Sequence, residues 1–119
     1  LPPVPILKQK DILIASIQSA LSDAEWVRLS DDLAHRTAEV RARAVVIDVT
    51  LMDVMDSFAT RILRSIASVV LLRGARTVIV GIQPDVAQSM VQLGLAQRLE
   101  DVLTALDLEQ GLSLLKRLG

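Results

Sequence analysis

The stretch Ala44-Val45-Val46-Ile47-Asp48-Val49 is apolar at every position except Asp48. It lacks the alternation of a half-buried strand. An apolar run of this length is a strand buried on both faces, as in a parallel sheet covered by helices. Thr77-Val78-Ile79-Val80 repeats the pattern. Parallel strands need crossover connections, so the segments between such runs should be helices.

The flanking sequence supplies them. Ser22 and Asp23 are candidate N-caps, and Glu25 completes a capping-box pattern with Ser22. The helix they open is predicted to reach about Arg41, burying Trp26, Leu29, Leu33, Thr37 and Val40. Its wet side is marked by Arg28, Asp31, Asp32, Arg36, Glu39 and Arg43, with His35 beside it as a solvated histidine. A second helix is predicted from Asp56-Ser57 to Arg73-Gly74, with Phe58, Ile62, Ile66 and Val69 as one stripe and Ala59, Leu63 and Val70 beside it. Glycine just past a helix end is the common left-handed stop. Gly81-Ile82-Gln83-Pro84 connects a strand to a third helix, Asp85 to Leu93, ending at Gly94, with Val86, Met90 and Leu93 facing inward. A weakly signalled strand, Val102 to Leu106, precedes a helix capped by Asp107 and carrying Leu108, Leu112, Leu115 and Leu118. At the other end, Pro2, Pro3 and Pro5 exclude a helix. Val4 to Lys8 and Ile12 to Ile17 pair as an edge hairpin around Lys10-Asp11. The order is ββαβαβαβα. This predicts an α/β fold with a mostly parallel mixed sheet, an N-terminal antiparallel hairpin and about four helices.

The 119 residues are read as one domain, 1–119, and 51% apolar content suffices for a substantial core. The chain opens at Leu1 rather than Met, so native residues are expected ahead of it. No signal peptide and no membrane-spanning run is visible, and a cytoplasmic location is expected. A net charge of −1, one Trp, one Phe and no Tyr argue against nucleic-acid binding. No cysteine is present, and the single His35 builds neither a histidine metal site nor an evident Ser/His/Asp set. No glycine-rich phosphate loop occurs. An enzyme is therefore not expected, nor a cofactor.

The chemistry that remains lies after Val49. Asp48 and Thr50 stand at the carboxyl end of the strand, the edge where sites gather in open α/β sheets. Asp48, Asp53 and Asp56 offer oxygen ligands to Mg²⁺, but capping and solvation account for them equally well, and no metal is expected. A phospho-aspartate receiver would need an acidic pair after the first strand and a lysine after a later one, and neither is present. Ser57 has two readings. It is an ordinary helix-start cap, worth about 1 kcal/mol, or it is a phosphorylation switch. Helix-start N–H groups partly accommodate a phosphate, while Asp53 and Asp56 repel its charge. Phosphorylation there would leave the domain folded and place negative charge on a docking surface supplied by Met52, Val54, Met55 and Phe58.

The segment VVIDVTLMDVMDSFATRIL, Val45 to Leu63, resembles the STAS domain of anti-sigma-factor antagonists: apolar strand, Asp, Ser/Thr, loop, then Asp-Ser or Asp-Thr opening a helix. VIVGIQPDVAQSMVQLGL, Val78 to Leu95, resembles the stressosome branch, and Asp-Ser-Phe at the helix start is similar to its RsbS type. The resemblance covers nearly the whole chain. It implies a STAS fold and a non-catalytic antagonist that co-assembles with RsbR-like proteins and self-associates in a large cytoplasmic complex. It implies capture of an RsbT-like serine/threonine kinase, release on phosphorylation of Ser57, and resetting by an RsbX-like phosphatase. Asp53, Val54, Met55, Asp56 and Phe58 would then form part of the kinase-facing surface. Ser89 stands where R-type relatives carry a second acceptor, or is simply a surface helix residue. Three alternatives share the fold: a simple anti-anti-sigma factor that forms no shell, a phosphorylation-independent interaction module, and a STAS domain of an anion transporter.

Overall fold

The computed structural model describes residues 4–53, 55–92 and 102–118. Among the described residues, five strands and four helices follow in the predicted order: β1 Ile6–Gln9, β2 Ile12–Ser16, α1 Asp23–Val40, β3 Ala44–Asp48, α2 Ser57–Leu72, β4 Arg76–Val80, α3 Pro84–Gln92, β5 Val102–Ala105 and α4 Leu108–Leu118. The strands lie side by side in chain order. β1 pairs antiparallel with β2, Ile6 opposite Ala15 and Gln9 opposite Ile12. The other three pairings are parallel, with Ala44 opposite both Ile12 and Arg76.

The apolar strands feed two cores. In β2 to β4, Leu13, Ala15, Val45, Ile47 and Ile79 point to one face and meet Trp26, Leu29 and Leu33 of α1, Leu63, Ile66 and Val70 of α2, and Val86 of α3. Ile12, Ile14, Ala44, Val46, Val78 and Val80 point to the other and meet Leu115 of α4. Successive side chains of a strand alternate between faces. Continuous apolar character therefore reflects helices on both sides. Fully burying each of these large aliphatic side chains stabilises by about 1.5–3 kcal/mol before the entropy of ordering it is subtracted.

The capping box is formed: Glu25 N–H donates to Ser22 Oγ at 3.1 Å, and Ser22 N–H donates to Glu25 Oε1 at 2.9 Å. α1 ends on Arg41 in the left-handed region (φ 52°), where the Arg41 and Ala42 N–H groups donate to the Thr37 carbonyl. Asp107 caps α4 through Gln110 N–H at 2.8 Å.

Several expectations are corrected. β1 starts at Ile6 rather than Val4, although Val4 is buried. β3 ends at Asp48, one residue early, and β2 ends at Ser16. Arg43 belongs to no helix. Its guanidinium pairs with Asp11 Oδ2 at 3.0 Å and donates to the Leu115 carbonyl, linking the hairpin turn to α4. The buried stripe of α2 is rotated toward Ala59, Thr60, Leu63, Ile66, Ala67 and Val70, leaving Phe58, Ile62 and Val69 half-buried. Both helix flanks are apolar, so periodicity alone left the angle ambiguous. Of the leucines carried by the last helix, Leu115 is buried, whereas Leu118 is exposed. Leu93, Gly94 and the Met90 side chain, assigned to the end of the third helix, lie outside the described residues.

Candidate functional site

The carboxyl end of β3 is held by short local bonds. Asp48 Oδ1 accepts from Thr50 N–H at 2.9 Å and from Thr50 Oγ1 at 2.6 Å. Met52 N–H donates to the Val49 carbonyl at 2.9 Å. An aspartate bonding the backbone two residues on is an Asx turn, which stops the strand and reverses the chain. The turn also explains why β3 ends at Asp48 although Val49 is apolar.

From there the chain leads to α2 with its two methionine side chains turned inward. Met52 and Met55 are 5% and 4% exposed and sit in the same core as Leu63. This corrects the expectation that they supply docking surface: Met55 anchors the loop, and so does Met52. Phe58 is half-buried and packs on that core. Asp53 and Asp56 are exposed, as is Leu51 at 64%. Val54 lies outside the described residues.

Asp56, not Ser57, is the N-cap of α2. Its backbone is extended (φ −85°, ψ 176°), and its Oδ1 accepts from Ala59 N–H at 2.7 Å. The following residue, Ser57, holds the first helical position. Its side chain is exposed, and among the described residues its hydroxyl has no hydrogen-bond partner. The two readings of Ser57 are thereby separated: the capping work at this helix start is done by Asp56. An exposed hydroxyl at the opening turn of a helix stands beside N–H groups with no intrahelical acceptor and at the positive end of the helix dipole. A phosphate formed there would meet those groups and the negative charges of Asp53 and Asp56.

The three aspartates do not converge. Asp48 and Asp56 each direct Oδ1 to a backbone amide, and among the described residues no group of three His, Cys, Asp or Glu side chains could hold a metal ion. His35 lies mid-way along α1, 77% exposed, with Nε2 3.4 Å from Glu39 Oε2. Ser89 falls within α3, but its side chain lies outside the described residues.

Sequence reasoning missed one contact. The loop after β4 crosses directly over Thr50. Gln83 Nε2 donates to the Thr50 carbonyl at 2.5 Å. Gly81 (φ +78°) passes so close that an added Cβ would fall 1.9 Å from Thr50 Oγ1. Its only trace in the sequence is a glycine directly after an apolar strand, a position that favours close backbone approach.

Comparison with known proteins bears on this geometry. A family model described as the STAS domain matches residues 4–110. The solved structure of a serine-to-glutamate variant of Moorella thermoacetica RsbS superposes with a TM-score of 0.85 at 36% identity, covering 97% of this chain and 96% of that one. A chain from a structure of the molecular architecture of the stressosome, "a signal integration and transduction hub", superposes with a TM-score of 0.83 at 37% identity, covering 96% and 97%. The Bacillus subtilis (strain 168) RsbT co-antagonist protein RsbRA is 26% identical over 111 residues, 93% of this chain. The chain spans only 39% of that relative's length.

Proposed function

The chain belongs to the STAS-domain family, as an RsbS-type stressosome protein, and from that premise we propose that it holds an RsbT-like serine/threonine kinase and releases it when Ser57 is phosphorylated. It acts as a non-catalytic, cytoplasmic antagonist that assembles with RsbR-like STAS proteins and with its own copies. An RsbX-like phosphatase returns it to the capturing state. The relative named for co-antagonism of RsbT supports this choice of kinase. The chain's near-complete overlap with a protomer of the stressosome supports the assembly. Among the described residues, no helix is long and apolar enough to cross a membrane.

The observation that carries the reading is the division of labour at the start of α2. Asp56 caps the helix, and Ser57 offers an exposed hydroxyl without a partner among the described residues. The kinase-facing surface comprises Asp53, Asp56, Ser57 and the exposed part of Phe58, with Met55 beneath it as an anchor. A phosphoryl group adds about −1.5 to −2 charges. Placed next to Asp56 and four positions after Asp53, it raises the local negative potential against a docked partner without removing any bond that holds the helix.

The test is phosphosite mass spectrometry after incubation with ATP and an RsbT-like kinase, comparing wild type with Ser57→Ala. Phosphate on Ser57, absent from the variant, is the expected result. No phosphate from a kinase active on another substrate would leave a scaffold that does not switch. A simple antagonist outside a shell is distinguished by light scattering with and without an RsbR-like partner: growth to a large particle is expected.

A further inference from the structure

Two loops meet at the carboxyl edge of the sheet. One, residues 49–56, leads from β3 to Ser57. The other, residues 81–83, leads from β4 into α3. Their junction at Thr50 is specified from several directions. The Val49 N–H donates to the Val80 carbonyl at 3.0 Å. The Thr50 N–H and hydroxyl are taken by Asp48 Oδ1, so its carbonyl is left to face the second loop, where Gln83 Nε2 donates to it. Gly81, in the left-handed region, lets the two backbones approach to a distance that no other residue allows. A general need to end a strand requires none of this beyond the Asx turn. The Gln83 side chain links the two loops, across 33 positions in the sequence.

We infer that Gln83 is a positioning residue for Ser57: by clasping the Thr50 carbonyl it holds the 49–56 loop, and with it the start of α2, in the arrangement a kinase engages. The inference rests on the Ser57 reading above. Gln83 touches neither the hydroxyl nor the reacting phosphoryl group, and acts through Thr50 and the short turn that follows. Met52 and Met55 anchor the far side of the loop in the core, so the clasp restrains its near side. The loop before Ser57 and the start of α3 therefore move as one surface.

The test uses the full chain with two substitutions. Gln83→Met keeps the bulk and removes the donor. Gln83→Arg restores a donor, because the arginine Nε is as many bonds from Cα as the glutamine Nε2. Hydrogen exchange of the Thr50 and Met52 amides reads the loop directly. It should accelerate about fivefold in Gln83→Met, the change expected from losing one neutral hydrogen bond, and return toward wild type in Gln83→Arg. In Ser57 phosphorylation, KM for the domain should rise by up to the same factor with kcat unchanged, since apparent affinity falls with the fraction of competent loop. Unchanged exchange in Gln83→Met would overturn the clasp. Faster exchange with unchanged KM would overturn its role for Ser57 and leave a structural contact. Wild-type protein that takes no phosphate would sink the Ser57 reading and, with it, the role of Gln83 toward the kinase, whereas the exchange result would still uphold or overturn the clasp.

Discussion

Asp56→Ala and Ser57→Ala are adjacent substitutions with unequal expected effects on stability. Asp56 Oδ1 accepts the Ala59 N–H at 2.7 Å, and its charge lies at the positive end of a helix of 16 residues. Removing an N-cap aspartate costs about 1 kcal/mol, and losing the charge at the dipole adds about 0.3–1 kcal/mol. The expected loss is therefore about 1–2 kcal/mol. With a urea m-value of about 1–2 kcal/mol/M for a small domain, the midpoint should fall by about 1 M. Ser57→Ala removes an exposed hydroxyl that has no partner among the described residues and puts a strong helix former at the first helical position. Its effect should stay within about 0.5 kcal/mol. The assay is equilibrium urea unfolding followed by the fluorescence of Trp26, the single tryptophan, which is 3% exposed in the α1–α2 core. Equal destabilisation by the two substitutions would refute the reasoning. Ser57 would then bear the helix start itself, and its assignment as a free acceptor would lose its support.

Ser57→Asp should leave the unfolding midpoint nearly unchanged while weakening capture of an RsbT-like kinase, measured by calorimetry or surface binding; unaltered affinity would count against a charge-driven switch. Gly81→Ala and Gly74→Ala share a left-handed backbone, but an added Cβ meets Thr50 Oγ1 at 1.9 Å at the first and open space at the second. Gly74→Ala should cost about 1–2 kcal/mol from conformation alone, and Gly81→Ala about 1–3 kcal/mol more from overpacking; denaturant midpoints measure the difference. Leu63→Ala, at a site 1% exposed, should cost about 2–5 kcal/mol, whereas Leu72→Ala, at 88% exposed, should stay within about 0.5 kcal/mol.

Much of this protein was legible from residue order alone, because the signals are local. The Ser22–Glu25 capping box, the Asp107 cap, the hairpin at Lys10-Asp11 and the two-sided burial of Ala44 to Ile47 each depend on neighbours within a few positions. Those spacings determine the element order and the parallel sheet, and with the family pattern they single out Ser57. They do not decide which of two adjacent polar residues caps a helix. Asp56 and Ser57 both satisfy the rule, and only the three-dimensional path of the chain selects Asp56 by bringing its carboxylate to the Ala59 amide. Nor do they decide which apolar side chains near the site are anchors. Met52 and Met55 read as surface because they sit in a loop, yet the reversal after Asp48 folds them under it. The Thr50–Gln83 contact is the clearest case: its partners are 33 residues apart, and no local rule links them. Parallel strands lying side by side bring their carboxyl ends to one edge, so residues of successive loops become neighbours there. That adjacency belongs to the sheet, and it exists only once the sheet has formed.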